Sequence, residues 1–158
     1  MDSLRFQLEL AWSQISVFDA NLIDPFNDWN EQHLGQGFTW RPGSVSFKLP
    51  VRSGRIDVSV ELVDQISLSP NAQTAIVVPF ITWAGVIEIS SITQSELIEV
   101  DSGQYALLYQ AGVLDDGQPW ASLSLMATGR SPIEPTILRA EGQFDLTAPL
   151  LMEAEPAA

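Results

Sequence analysis

Along most of this chain apolar and polar residues alternate with a period of two, the spacing of strands that bury one face. In Arg5–Trp12 the apolar set is Phe6, Leu8, Leu10 and Trp12, opposed by Gln7 and Glu9. Ser13–Phe18 reads either as a second strand or as a bulged continuation of the first. Val45, Phe47 and Leu49 share a face, and Pro50, with no N–H to give a ladder, ends that run. The alternation is most regular in the strand opened by Gly54-Arg55, where Ile56, Val58, Val60 and Leu62 oppose Asp57, Ser59 and Glu61. Ser67–Asn71 reads as a loop, and Ala72–Phe80 is apolar on both faces at its end, which predicts a strand inside a sheet. Ala84-Gly85 predicts a hairpin turn into Val86–Ile92, and Glu96–Val100 a further strand halted by Asp101-Ser102-Gly103. Gln104–Val113 and Trp120–Thr128 predict a hairpin closed at Asp115-Asp116-Gly117.

One stretch, Asp24–Phe47, breaks the period with helix signals. Asp24 ahead of Pro25 offers an N-cap with proline at the first helical position, and Asp28-Trp29-Asn30-Glu31 offers a second start of capping-box type. Gly35 and Gly37 supply the stop. Arg41-Pro42-Gly43 then turns the chain into Ser44–Leu49. The expected fold is all-β: an antiparallel β-sandwich or flattened barrel of about eight strands, with one short helix near residues 25–35. Past Gly129, Pro132, Pro135 and Pro149 punctuate the short apolar pieces ILRA and FDL. Residues 1–129 therefore read as the body, and residues 130–158 as a C-terminal extension holding an edge strand and a loose tail.

Composition fits one folded domain: 158 residues, 46% hydrophobic and 17% charged. With no cysteine, disulfides and thiolate chemistry are excluded. No apolar run approaches the roughly 18 residues of a membrane span. Met1–Phe6 lacks the basic start and apolar run of a secretion signal, so the expected location is the cytoplasm. The 20 acidic residues outnumber 7 basic ones, for a net charge of -13. Solubility alone accounts for such a balance, and the same field repels nucleic acid and anionic membranes while attracting cations and basic proteins. The basic residues Arg5, Arg41, Lys48, Arg52, Arg55, Arg130 and Arg139 form no dense run, so direct nucleic-acid binding is not expected.

Catalytic motifs are missing. His33 is the single histidine, sits in Glu31-Gln32-His33-Leu34-Gly35 with no nucleophile motif, and reads as an exposed helical residue. Neither an imidazole metal set nor a calcium loop is spelled out. Gly35-Gln36-Gly37 follows the helix, whereas a phosphate loop leads one. The expectation is no enzyme, no cofactor and no bound metal.

A series of short motifs in fixed order resembles the competence protein J (ComJ) family, also described as nuclease inhibitors. The residues that carry the likeness are Ser13–Phe18, Asp28-Trp29-Asn30-Glu31, Gly37-Phe38, Gly43–Phe47, Val78-Pro79-Phe80, Gly85–Ile89 and Gly103–Leu107. They span residues 10–112, and the segment after Gly129 is longer than the family pattern requires. The resemblance implies a non-catalytic protein that binds and silences a basic, metal-dependent nuclease linked to DNA entry. For partner contact the candidates are Asp24, Asp28, Trp29 and Glu31 on the helix and its flanks, Trp40 close behind, and Asp115 and Asp116 at the hairpin. Helix capping explains Asp24 and Asp28, and turn chemistry Asp115 and Asp116, without any partner, and a core role explains Trp29. A homo-oligomer is left open. From another class, a carbohydrate-binding module is the rival: Trp12, Trp29, Trp40, Trp83 and Trp120 with acidic neighbours would suit sugar stacking.

Overall fold

The computed structural model describes residues 3–10, 13–131, 133–140 and 150–157. Trp12, Pro132, Pro149 and the FDL piece of the extension lie outside the described residues. In chain order the elements are β1 (Ser3–Leu10), β2 (Gln14–Asp19), α1 (Glu31–Gln36), β3 (Phe38–Arg41), β4 (Ser44–Lys48), β5 (Gly54–Leu62), β6 (Thr74–Thr82), β7 (Val86–Ser90), β8 (Ser95–Glu99), β9 (Gly103–Val113), β10 (Pro119–Ala127) and β11 (Thr136–Ala140). The protein is predominantly β-strand, in two sheets, with one minor helix. Eleven strands stand where about eight were expected among the described residues. The four-residue β3 is the addition inside the body, and β11 lies in the extension.

The first sheet runs β1-β5-β10-β9-β6-β11 and the second β3-β4-β2-β7-β8. Ser13–Phe18 resolves as a separate strand: β2 sits between β4 and β7 in the second sheet, while β1 pairs with β5 in the first. The alternation read from sequence sets the inward faces. Leu8, Ile56, Val58, Val60, Val78, Leu107, Tyr109 and Leu123 of one sheet share a buried core with Ile15, Val17, Val45, Phe47, Ile87 and Ile89 of the other. At its centre the Phe47 and Tyr109 rings stack with centroids 4.3 Å apart, and the Tyr109 hydroxyl donates to the Lys48 carbonyl at 3.0 Å. Burial pushes the Tyr109 phenol far above its ordinary value.

Two seams join the sheets along their sides. Ser91 Oγ donates to the Glu9 carbonyl at 2.7 Å, and the Glu9 N–H donates to Gln94 Oε1 at 2.9 Å, tying the β7–β8 turn to β1. On the other side Trp40 Nε1 donates to the Pro79 carbonyl at 2.6 Å, from β3 to β6.

Two local readings are corrected. Ala84-Gly85 is no hairpin turn: β6 belongs to the first sheet and β7 to the second, so the turn is a corner between sheets. Nor is the pairing antiparallel throughout, for β5 and β10 run parallel, Trp120 to Leu125 beside Asp57 to Leu62. Because β6 also runs in that direction, residues 63–73 have to return across the outer face of the sheet. Gln110 fastens that crossing, accepting from the Ser69 N–H at 2.6 Å and donating to the Ser67 carbonyl at 3.3 Å. Arg139 of β11 adds bonds to the carbonyls of Ser69 and Ala72 at 2.8 and 2.9 Å. The β9–β10 hairpin forms as read, with Asp116 Oδ1 accepting from the Gln118 N–H at 2.9 Å and Gly117 at a φ of 87°. No helix among the described residues is long and apolar enough to cross a membrane.

Candidate functional site

Between β2 and α1 the chain crosses the outer face of the second sheet, a face made of small polar residues. Ser16 and Ser46 are buried there and hydrogen-bonded to each other at 2.7 Å. Asn27 is the hub of the crossing. Its Nδ2 donates to the carbonyls of Thr39 and Ser44 at 3.4 and 3.3 Å, and its Oδ1 accepts from Arg41 Nε at 2.7 Å. Ser44 Oγ donates to the Pro25 carbonyl at 2.5 Å, and Phe26 packs edge-on against Phe18 at 5.5 Å. So many contacts hold residues 25–29 out of a helix, and the helix starts late.

The helix begins at Glu31, capped by Asn30; neither Asp24 nor Asp28 is the cap. Asn30 Oδ1 accepts from the His33 N–H at 2.9 Å, and His33 Nδ1 accepts from the Asn30 N–H at 3.1 Å, a reciprocal capping box with histidine at the third position. His33 is buried at 3% exposure, a correction to its reading as an exposed residue, because its ring folds back onto the cap and the backbone at Glu153 lies against it. Burial lowers its pKa, with the Glu153 carbonyl acting in the opposite direction. Gly37 ends the helix in the left-handed region at a φ of 84°.

The far end of the chain lies on this segment. The Asp28 N–H donates to the Glu155 carbonyl at 2.9 Å, and the Ala157 N–H to the Phe26 carbonyl at 2.7 Å. The Gln36 amide grips the Leu151 backbone both ways, accepting its N–H at 2.8 Å and donating to its carbonyl at 3.0 Å.

The seven candidate contact residues are only partly brought together. Asp28 and Glu31 are exposed, with Trp29 half-buried between them and its Nε1 donating to Gln14 Oε1 at 2.7 Å. Asp115 and Asp116 are exposed on the β9–β10 turn, at the end of the first sheet remote from Thr82. Tyr109 of that half of β9 reaches Lys48, so the helix and the turn share one end of the molecule. Asp24 is exposed near the opposite end with a φ of 50°, its carbonyl held by Arg41 Nη2. Trp40 faces away from all of them, half-buried against the core.

At that opposite end sequence reasoning passed over Asp19 and named Trp83 only for the sugar-stacking alternative. Asp19 is buried at 2% exposure, and its Oδ1 accepts from Thr82 Oγ1 at 2.5 Å and from the backbone N–H groups of Trp83 and Ala84 at 3.0 Å each. Trp83, on the corner thus pinned, is 55% exposed. No local pattern marks either, since the contact joins positions more than sixty residues apart.

A cavity of about 370 Å³ next to the helix is lined by Ser13, Gln14, Trp29, Leu34, Lys48 and Arg52. Another of about 240 Å³ holds Trp40 between Pro42, Pro79 and Tyr105, and a third of about 390 Å³ on the first sheet holds Trp120. Each of these carries a single indole, which gives the sugar-stacking alternative no paired platform. Among the described residues no group of three histidine, aspartate or glutamate side chains is placed to hold a metal ion.

Residues 7–128 match the family model described as competence protein J (ComJ). No curated protein matches the sequence. Among solved structures, the chain is similar to ComJ of Bacillus subtilis, titled an inhibitor of the DNA degrading activity of NucA. The TM-score is 0.70 at 18% identity, covering 79% of this chain and 96% of that one. It is also similar to a protein titled crocagin biosynthetic gene J, with a TM-score of 0.56 at 16% identity, covering 80% and 99%.

Proposed function

Because this chain belongs to the competence protein J family, we propose that it is a non-catalytic protein that binds and inhibits a DNA-degrading nuclease linked to competence. The observation that carries this reading is the family match over residues 7–128, nearly the whole two-sheet body. What is said of the Bacillus subtilis relative, inhibition of the DNA degrading activity of NucA, is carried to this chain on that basis. The charge fits the role. A nuclease holds DNA in a basic groove, and a protein of net charge -13 substitutes for phosphate in such a field. The nuclease is taken to be metal-dependent and the encounter cytoplasmic, with the body read as a β-sandwich and residues 130–158 as an extension on it.

Asp24, Asp28, Trp29, Glu31, Trp40, Asp115 and Asp116 remain the proposed contacts, with Asp28 and Glu31 the most accessible pair on the helix flank. The test is a cleavage titration. A nuclease of the NucA kind, cloned from the same source, is mixed with increasing amounts of this protein and supplied with plasmid DNA. Cleavage should stop near a one-to-one ratio and return as salt rises and screens the encounter. Undiminished cleavage under a large molar excess would remove the reading.

A further inference from the structure

Four loops meet at the end of the two sheets away from the helix: residues 20–24, 41–43, 82–85 and 100–103. Their backbones are joined directly. The Asp19 N–H donates to the Gly43 carbonyl at 2.8 Å, Ala20 to Val86 at 2.9 Å, and Val100 to Gly85 at 2.9 Å. From this base Trp83 projects at 55% exposure and Ile23 at 84%, with exposed Asp24, Pro42 and Asp101 around them.

The indole is exposed yet not loose. Its ring lies on Gly43, where an added Cβ would come within 2.6 Å of Trp83 Cζ3, so the ring occupies space that only glycine leaves free. Gly43 also has a φ of 78°, a second reason for glycine there. The backbone beneath the ring is fixed by the buried Asp19 carboxylate, which accepts the Trp83 and Ala84 N–H groups at 3.0 Å each. A large apolar side chain held in place before any partner arrives loses little freedom on binding, and tryptophan is enriched among residues that dominate interface energy.

The two ends differ in the charges they carry. Beside the helix, Lys48 and Arg52 line the cavity next to Trp29. At the Trp83 end the half-buried Arg41 guanidinium is committed to the Asp24 carbonyl, Asn27 Oδ1 and the charge of Asp24. Asp101 stands exposed on the neighbouring loop. An exposed indole with an acidic residue on the neighbouring loop suits an arginine or lysine, which meets the ring face by cation–π attraction and the carboxylate by a charge-assisted hydrogen bond.

We infer that the Trp83 corner, with Ile23 and Asp24, is the surface that docks the cationic DNA-binding groove of the nuclease, and that Trp83 is its anchor. This rests on the inhibitor reading and narrows its contacts to the end that holds Asp24, so Asp28→Ala/Glu31→Ala, at the helix end, should leave Kd unchanged. The experiment measures binding and inhibition of a NucA-type nuclease from the same source by wild type, Trp83→Ala, Ile23→Arg, and the double variant Asp28→Ala/Glu31→Ala. Trp83→Ala and Ile23→Arg should each raise Kd about tenfold or more with circular dichroism unchanged. Ile23→Arg supplies the answer even if Trp83→Ala disturbs the corner, because its side chain is 84% exposed. Acrylamide quenching of tryptophan fluorescence should fall on complex formation in wild type and not in Trp83→Phe. Full affinity in both Trp83→Ala and Ile23→Arg overturns the inference and leaves the inhibitor reading standing. A wild type that neither binds nor inhibits the nuclease overturns both.

Discussion

Replacing Asp19 tests how the two sheets are joined at their corner. The carboxylate is 2% exposed and receives three donors on Oδ1, from Thr82 Oγ1 at 2.5 Å and the Trp83 and Ala84 N–H groups at 3.0 Å. Oδ2 receives a longer bond from the Asn21 N–H at 3.4 Å. Hydrogen bonds to a charged group contribute about 1.5–3 kcal/mol each, and a buried donor stripped of its acceptor bears the full desolvation penalty. In Asp19→Ala the Trp83 and Ala84 amides border solvent and can recruit water, while the Thr82 hydroxyl, 1% exposed, cannot. Counting that hydroxyl in full and the amides in part gives a loss of about 3–5 kcal/mol. For a chain of this size that lowers Tm by about 10–15 °C. Asp19→Asn keeps a carbonyl for the Oδ1 donors but not the charge, so it should lose about half as much. Thermal unfolding followed by far-UV circular dichroism measures both, and a double-mutant cycle with Thr82→Val isolates the shared bond. An Asp19→Ala protein melting within about 2 °C of wild type, a shift of well under 1 kcal/mol, would refute the claim that this carboxylate pins the corner.

Asn30→Ala removes the side-chain bond of the capping box, the one accepted from the His33 N–H, while the backbone N–H of residue 30 can still donate to His33 Nδ1. It should destabilise by about 1 kcal/mol in urea unfolding, while Asp28→Ala, which caps nothing, should stay within about 0.5 kcal/mol of wild type. The pKa of His33 lies below its ordinary 6.5 in the folded state, so the unfolded chain takes up the proton first and stability declines as pH falls through and below that value. His33→Gln, which can still accept from the Asn30 N–H, should flatten this acid limb in melts taken across the range. Tyr109 is displaced upward from 10.0, so above that pH the unfolded phenol ionises while the folded one does not, and stability falls by up to about 1.4 kcal/mol per pH unit. Tyr109→Phe should lose about 1 kcal/mol at neutral pH with its bond to Lys48, yet show a shallower alkaline limb.

The strands were legible because burying one face forces a period of two, and little else in a sequence produces it. Ile56, Val58 and Val60 face the core as their spacing requires, and Asp115-Asp116-Gly117 makes the hairpin because a turn is a local object. What was not legible depends on distant residues. Phe38–Arg41 is too short to show a period, and becomes a strand because Phe38 and Trp40 lie opposite Phe47 and Val45. The parallel pairing of β5 with β10 joins segments with no turn between them, so no turn residue could announce it. The helix start was misplaced for the same reason. Asp24-Pro25 and Asp28 to Glu31 both satisfy the local rules, but Asn27, buried over β3 and β4, keeps the chain around it out of a helix, and Asn30, within the second of those starts, is the cap.

The functional surface repeats this division. The acidic excess and the order of motifs were readable, since charge is a property of composition and the motifs are runs of neighbouring residues. Where the proposed contact carboxylates would sit was not, because Asp28 and Glu31 come to the helix end and Asp24 to the opposite one, a separation made by the chain's crossing of the second sheet. Trp83 looked like the other tryptophans, an apolar residue at the end of a strand. It projects because Thr82, its neighbour in β6, turns inward to Asp19, and alternation then sends the next side chain out, onto the one glycine that leaves it room. An exposed indole is thus the product of a buried carboxylate on another strand. If that is so, a change at Asp19 too mild to unfold the protein should still weaken partner binding through the position of the ring, which makes Asp19→Asn the variant in which the corner's stability and the surface's affinity can be seen to move together.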